Sequence, residues 1–249
     1  MNFKLLIQYD GTRYDGWQRQ GNTDNTIQGK IEEVLSKMTG EPVELHGAGR
    51  TDAGVHASGQ IANVHLTKWH GDTEEIRSYL NQYLPEDIGI LDVESVPERF
   101  HSRLSAKGKR YCYRIGIGDR KNVFERRQIY PLGGTLDREA MEQAAQYLTG
   151  EHDFQGFCAN KRMKKSTVRY IWSITIEESA DELRITYCGN GFLYNMIRIL
   201  TGTLIEVGQG KRSPQSISEI FEKKDRTLAG YTAPARGLTL EEVLYEDSV

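Results

Sequence analysis

The chain has 249 residues, enough for one large domain or for two halves sharing an interface, and 38% of them are hydrophobic against 27% charged, the balance of an ordinary globular protein. A formal net charge of −3 argues against indiscriminate binding to polyanions, although a local basic face still binds nucleic acid because salt screens distant charges. Apolar runs of a few residues cannot span a bilayer, and the opening MNFKLLIQYDG is too brief and too polar for a signal peptide, so no membrane association and a cytoplasmic location are expected. Cys112, Cys158 and Cys188 are odd in number and widely spaced, giving neither a disulfide framework nor a CxxC metal pair.

In chain order, Phe3, Leu5, Ile7 and Tyr9 alternate on one face of a strand. Ile27, Ile31, Val34, Leu35 and Met38 then recur at helical spacing up to Gly40. Ala62, Val64 and Leu66 mark a strand over 60–66, Ile76, Tyr79, Leu80 and Tyr83 a helix over 73–84 before Pro85, and 88–95 a short strand. The order then repeats. Tyr111, Tyr113, Ile115 and Ile117 alternate, LDREAMEQAAQYLTG is a helix, and RYIWSITIEE and DELRITYCG form a hairpin with Tyr170, Trp172, Ile174 and Ile176 on one face of its first strand. A helical stripe from Phe192 through Met196 to Val207 follows, then a helix capped by Ser213-Pro214, then a strand near 238–245. Each half therefore reads as strand, helix, strand pair, helix, strand. The expectation is an α+β fold of two ferredoxin-like (βαββαβ) halves, 1–104 and 105–249, joined into one broad, mostly antiparallel sheet with helices on one face and a central active-site cleft.

Chemistry concentrates in GAGRTDAGVH, residues 47–56. Small residues around Asp52 leave room for a planar ligand to approach its carboxylate, and Arg50 can hold that carboxylate ionised or reach a phosphate. An Asx turn with a surface arginine is the bland alternative for any such triplet. His46, His56 and His65 lie at spacings that match no zinc pattern, no nucleophile elbow surrounds Ser58, and phosphate-cradling glycine loops are absent, so neither metal nor organic cofactor is expected. Basic residues cluster between Arg103 and Arg127, with Tyr111, Tyr113 and Phe124 among them, and again from Lys161 to Arg169, the pairing of phosphate-neutralising charge with stacking surface that suits an unpaired nucleic acid.

Seven segments, YDGTRYDGWQRQ, AGRTDAGVHASGQ, LNQYLPEDI, RFHSRLSAKGKRYCYRI, GEHDFQGF, GFLYNMIRILTGTLIEVGQGK and TAPARGLTLEEVLY, run in one order along nearly the whole chain. Together they resemble the signatures of the TruA family of tRNA pseudouridine synthases. The resemblance implies a homodimeric isomerase, free of metal and cofactor, that converts uridine to pseudouridine around positions 38 to 40 of the tRNA anticodon stem-loop. It matches Asp52 to the catalytic aspartate, Arg50 to its partner, Tyr111 to the tyrosine against the target base, and Leu238 to the apolar wall of the uracil pocket. It also implies tRNA contacts from Phe100, His101, Ser102, Arg103 and Leu104, from Arg110, and from the loop holding Asn160, Lys161, Arg162, Lys164 and Lys165. Ser102, Leu104 and Tyr170 depart from the residues common in the family, which touches the RNA contacts but not the chemistry.

Two rivals come from other classes. A pure RNA-binding module gains nothing from a carboxylate that repels phosphodiesters, and a glycosidase needs two carboxylates in one pocket where only Asp52 stands out.

Overall fold

The computed structural model of the protein describes residues 1–160 and 163–246. Among these residues ten strands and five α-helices make an α+β fold whose strand pairings are mostly antiparallel. The chain divides into two compact units, Met1–Lys107 with the closing segment from Thr239, and Gly108–Leu238.

In the first unit β1 (Asn2–Tyr9), α1 (Ile27–Thr39), β2 (Leu45–Gly47), β3 (His56–His65), α2 (Thr73–Tyr83) and β4 (Ile88–Val96) follow the ferredoxin-like order. The strands lie β4-β1-β3-β2, each antiparallel to its neighbour. Phe3, Leu5, Ile7 and Tyr9 are buried on one face of β1, as their alternation predicts, with Ile31, Leu35, Ile76 and Leu80 buried on the helices. Both helices start on side-chain caps: Thr26 accepts from the Gly29 amide and Asp72 from the Glu75 amide. The closing strand β10 (Leu238–Leu244), which chain order assigns to the second half, belongs from Thr239 onward to this unit because it pairs in parallel with the start of β3, Thr239 opposite His56.

The second unit contains β5 (Gly108–Gly116), β6 (Tyr130–Pro131), α3 (Arg138–Leu148), β7 (Gly150–Asp153), β8 (Val168–Glu178), β9 (Glu182–Gly189), α4 (Met196–Gly208) and α5 (Ser216–Lys223). Its sheet runs β5-β9-β8-β7, antiparallel throughout, with β6 added in parallel to β5. Three details differ from the sequence pattern. A bulge between Ile171 and Ser173 breaks the alternation of β8, so Ile171 is buried and Tyr170 is 42% exposed instead of pointing inward. Helix α4 begins at Met196, not Phe192, because Asn195 takes a left-handed φ of 59° that ends the preceding turn. And α5 begins at Ser216 without a side-chain cap; the Ser213 carbonyl, not its hydroxyl, accepts from the Ser216 amide. No helix among the described residues is long and apolar enough to cross a membrane.

Helix α4 passes directly over the backbone at Tyr231: a Cβ added at Gly202 would lie 1.9 Å from the Tyr231 carbonyl oxygen. Gly202→Ala is therefore expected to lower stability by about 1–3 kcal/mol, whereas Gly21→Ala, which meets nothing within 4 Å, stays within about 0.5 kcal/mol of the parent. Urea unfolding of the two variants checks both.

Candidate active site

The loop joining β2 to β3 carries the RTD triplet, and its main chain is held at nearly every residue. The Trp17 amide donates to the Thr51 carbonyl (3.0 Å), the Gly54 amide to the Tyr14 carbonyl (3.4 Å), the Val55 amide to the Asp52 carbonyl (3.1 Å) and Gln60 Nε2 to the Gly49 carbonyl (2.9 Å). The Tyr9 hydroxyl lies 2.7 Å from Thr51 Oγ1 in a buried contact. The segment from Tyr9 to Trp17 thus forms the bed of the loop. Glycines make that approach possible: a Cβ at Gly11 would sit 2.0 Å from the Val55 carbonyl oxygen, and the Trp17 indole would occupy the Cβ position of Gly47.

On this bed Thr51 and Val55 are buried and Asp52 is partly exposed, so a carboxylate reachable from solvent stands on a fixed main chain. Arg50 is exposed, and its Nε donates to Gln18 Oε1 (3.1 Å). His56, buried, accepts from the Gly11 amide at Nδ1 (3.1 Å) and stands 3.2 Å from Asp10 Oδ1, which ties β3 to the turn after β1. Among the described residues no three His, Cys, Asp or Glu side chains converge as metal ligands.

Residues Phe100–Leu104 lie in the same unit and are pinned from beneath. Buried Asn2 donates to the carbonyls of Pro97 and Phe100 (3.1 and 2.8 Å), and buried Asn63 accepts from the Ser102 amide (2.8 Å). Ser102 has no exposed surface; its hydroxyl donates to the His46 carbonyl and its own carbonyl accepts from Tyr245 (2.8 Å). Its polar groups therefore hold the shape of the segment. Phe100 packs on Tyr245, and His101 stacks on His46 at 5.2 Å. Burial and then the His46 charge hold the His101 imidazole below its ordinary value, which favours a neutral ring. Arg103 and Leu104, the latter 80% exposed, face solvent.

In the second unit Tyr111 lies on β5 opposite Tyr187, nearly buried, with its ring edge-on to Phe192 at 5.4 Å. Arg110 pairs in register with Cys188, and Leu238 is buried at the start of β10. Arg198 on α4 bridges two segments, its Nε donating to the Ala233 carbonyl (2.7 Å) and its Nη1 to Asn195 Oδ1 (2.9 Å), while the Tyr113 hydroxyl donates to the Pro234 carbonyl (2.7 Å). These bonds fix the run that leads into Leu238, a role that periodicity could not reveal. Asn160, Lys164 and Lys165 are exposed; Lys161 and Arg162 lie outside the described residues.

The basic stretch from Arg103 to Arg127 is not uniformly available. Arg114 is largely buried and bonded to Glu182 through Nε and Nη2 (2.6 and 2.7 Å) and to Glu125 (2.9 Å). Burial acts to raise the Glu182 carboxyl, but hydrogen bonds from Arg114 and Arg184 outweigh it and hold the group below its ordinary value. Arg120 pairs with Asp181 (3.0 Å). Phe124, by contrast, is 97% exposed.

An α+β fold that holds an aspartate on a glycine-bedded loop, with basic and aromatic side chains at its surface, defines the class of RNA-modifying isomerases to which sequence comparison leads. Residues 5–104 and 144–246 match the family described as tRNA pseudouridine synthase, and the chain belongs to that family. It is 50% identical over 244 residues to tRNA pseudouridine synthase A of Bacillus sp. (strain KSM-64), covering 98% of this chain and 99% of that one. It is 47% identical to tRNA pseudouridine synthase A 2 of Bacillus anthracis (97% and 98% covered) and 44% identical to tRNA pseudouridine synthase A of Clostridium kluyveri (98% and 99%). Among solved structures, a Cbf5-Nop10-Gar1 complex is similar at 11% identity and a TM-score of 0.42 over 96% of this chain and 48% of that one, too slight a likeness to bear on function.

The sign of the Glu182 shift gives a test. A carboxyl held low contributes stability above the ordinary glutamate value of 4.5 and loses it as pH falls through the folded value. The thermal midpoint of Glu182→Gln should therefore lie below the parent's at pH 7 and converge with it toward pH 3, as scanning calorimetry across that range would show.

Proposed function

We propose that the protein isomerises uridine to pseudouridine in the tRNA anticodon arm, with Asp52 as the catalytic group. The observation that carries this reading is the carboxylate itself: partly exposed on a main chain anchored at Gly49, Thr51, Gly54 and Val55, in a chain of the tRNA pseudouridine synthase family. A module that only bound RNA would have no use for an anion so placed.

In the reaction the bond from ribose C1′ to uracil N1 breaks, the uracil turns, C5 bonds to C1′, C5 loses its proton and N1 gains one, so substrate and product have the same composition. A carboxylate near C1′ and walls that retain the detached base are what such a step requires. Extracting the nucleotide from a stem costs a few kcal/mol, which the reading assigns to Arg50 and the tRNA contacts to offset. Tyr111 and Leu238 are assigned to the uracil, Tyr111 also as the candidate for the last proton transfer. Arg103, Arg110, Asn160, Lys164 and Lys165 are assigned to the RNA, with Phe100, His101 and Leu104 presented by the pinned segment beside Arg103. The family reading further makes the working form a cytoplasmic homodimer, which sedimentation equilibrium tests by a mass twice that of the chain.

Asp52→Ala should release no tritium from tRNA labelled at uridine C5 while keeping its fold and most of its tRNA affinity; full turnover by that variant would falsify the assignment. Arg103→Ala and Lys164→Ala should each weaken tRNA binding and lower the slope of log affinity against log salt by about one. Filter binding at several ionic strengths measures this, and an unchanged slope removes the phosphate role.

A further inference from the structure

We propose that Tyr9 and Gln60 are positioning residues for Asp52, acting through buried hydrogen bonds to Thr51 and to the Gly49 carbonyl; the proposal rests on the reading of Asp52 as the catalytic group. Gln60 is wholly buried on β3. Its Nε2 donates to the Gly49 carbonyl at 2.9 Å. The Tyr9 hydroxyl, also buried, lies 2.7 Å from Thr51 Oγ1. Burial pushes the Tyr9 phenol well above its ordinary value, against the opposing hydrogen bonding of Thr51, so it keeps its proton.

Gln60 Oε1 has no hydrogen-bond partner among the described residues. A buried carbonyl left unmatched costs stability that an apolar residue on β3 would avoid, so the amide is assigned to what its Nε2 bond does. That bond fixes Gly49 on one side of Arg50, and Tyr9 holds the Thr51 side chain on the other, while Trp17 holds the Thr51 carbonyl at 3.0 Å. Thr51 is thus clamped at both side chain and main chain immediately before Asp52. A displacement of about 1 Å at a reacting group can cost on the order of a hundredfold in rate. Tyr9, Thr51 and Gln60 are all buried, so the loss of the clamp should appear in turnover and not in binding.

The test is tritium release at varied tRNA concentration for Tyr9→Phe, Thr51→Val, their combination, Thr51→Ser and Asp52→Ala, each checked for folding by circular dichroism. Tyr9→Phe and Thr51→Val should each lower kcat by about tenfold with KM within about twofold, as expected when only the placement of the reacting group is lost. The double variant should be no slower than the slower single variant, because both break one contact. Thr51→Ser, which keeps the hydroxyl, should recover most of kcat. Parental kcat in Tyr9→Phe, multiplied losses in the double variant, or a change confined to KM would each overturn the proposal, and Tyr9→Phe decides alone if Thr51→Val fails to fold. Asp52→Ala separates the two readings: activity there removes the catalytic assignment itself, whereas an inactive Asp52→Ala beside a fully active Tyr9→Phe removes only the clamp.

Discussion

Backbone packed on backbone, with no Cβ between, is the constraint on which the chemistry of the first unit depends. Gly11 lies against the Val55 carbonyl, Gly16 at a φ of 101° faces the Thr51 carbonyl at 2.8 Å from its Cβ position, and Gly47 lies beneath the Trp17 indole. Side chains at these points would push the loop away from the turn that follows β1, and the four main-chain and amide bonds that hold it could not all form. The position of Asp52 is therefore set by main-chain geometry, which is stiffer than a rotamer held by neighbouring side chains. The split βαβ topology supplies the place: β2 and β3 are hairpin partners, and the connection between them emerges beside the end of β1, where Tyr9 and the glycines wait.

How much of this was legible in the sequence follows from which faces are buried. β1, α1, α2, α3 and β9 bury one face or stripe, so their apolar residues recur at period 2 or 3.6 and the elements are read within a residue or two. β2, β6 and β7 have three, two and four residues, too few to display a period, and no pattern announced them. In β8 the bulge inserts one residue and moves Tyr170 to the opposite face, which alternation cannot foresee because it is a property of the pairing with β9. At α4 the apolar stripe continues past the true start, and only the left-handed turn at Asn195 ends it.

The site was legible as composition and opaque as geometry. Small residues around an Arg and an Asp announce the loop, and the resemblance of the seven segments implies a role for it. Partners are another matter. Tyr9 counts simply as one more inward aromatic of β1, and nothing local shows that its hydroxyl meets Thr51; Ser102 resembles a solvent-facing loop serine until Asn63, His46 and Tyr245 are seen to consume its polar groups. Hydrogen-bond partners 40 to 140 residues apart in the chain are a consequence of topology, and topology is what a one-dimensional pattern withholds.

Charge shows the same division with a functional consequence. Counted along the chain, the basic residues from Arg103 to Arg127 form one cluster, yet Arg114 is spent on Glu182 and Glu125, Arg120 on Asp181, and in the same unit Arg212 on Glu206. The pairs Arg114–Glu182 and Arg212–Glu206, short and with little solvent, keep most of their interaction at physiological ionic strength, while exposed cations such as Arg103 and Lys164 act on an approaching polyanion through water and are screened over about 8–10 Å. A net-acidic protein can thus present a basic face without carrying a basic surface everywhere. Attraction to a polyanion then falls to exposed cations, and long-range repulsion by the acids is suppressed at the same ionic strength that preserves the close contacts.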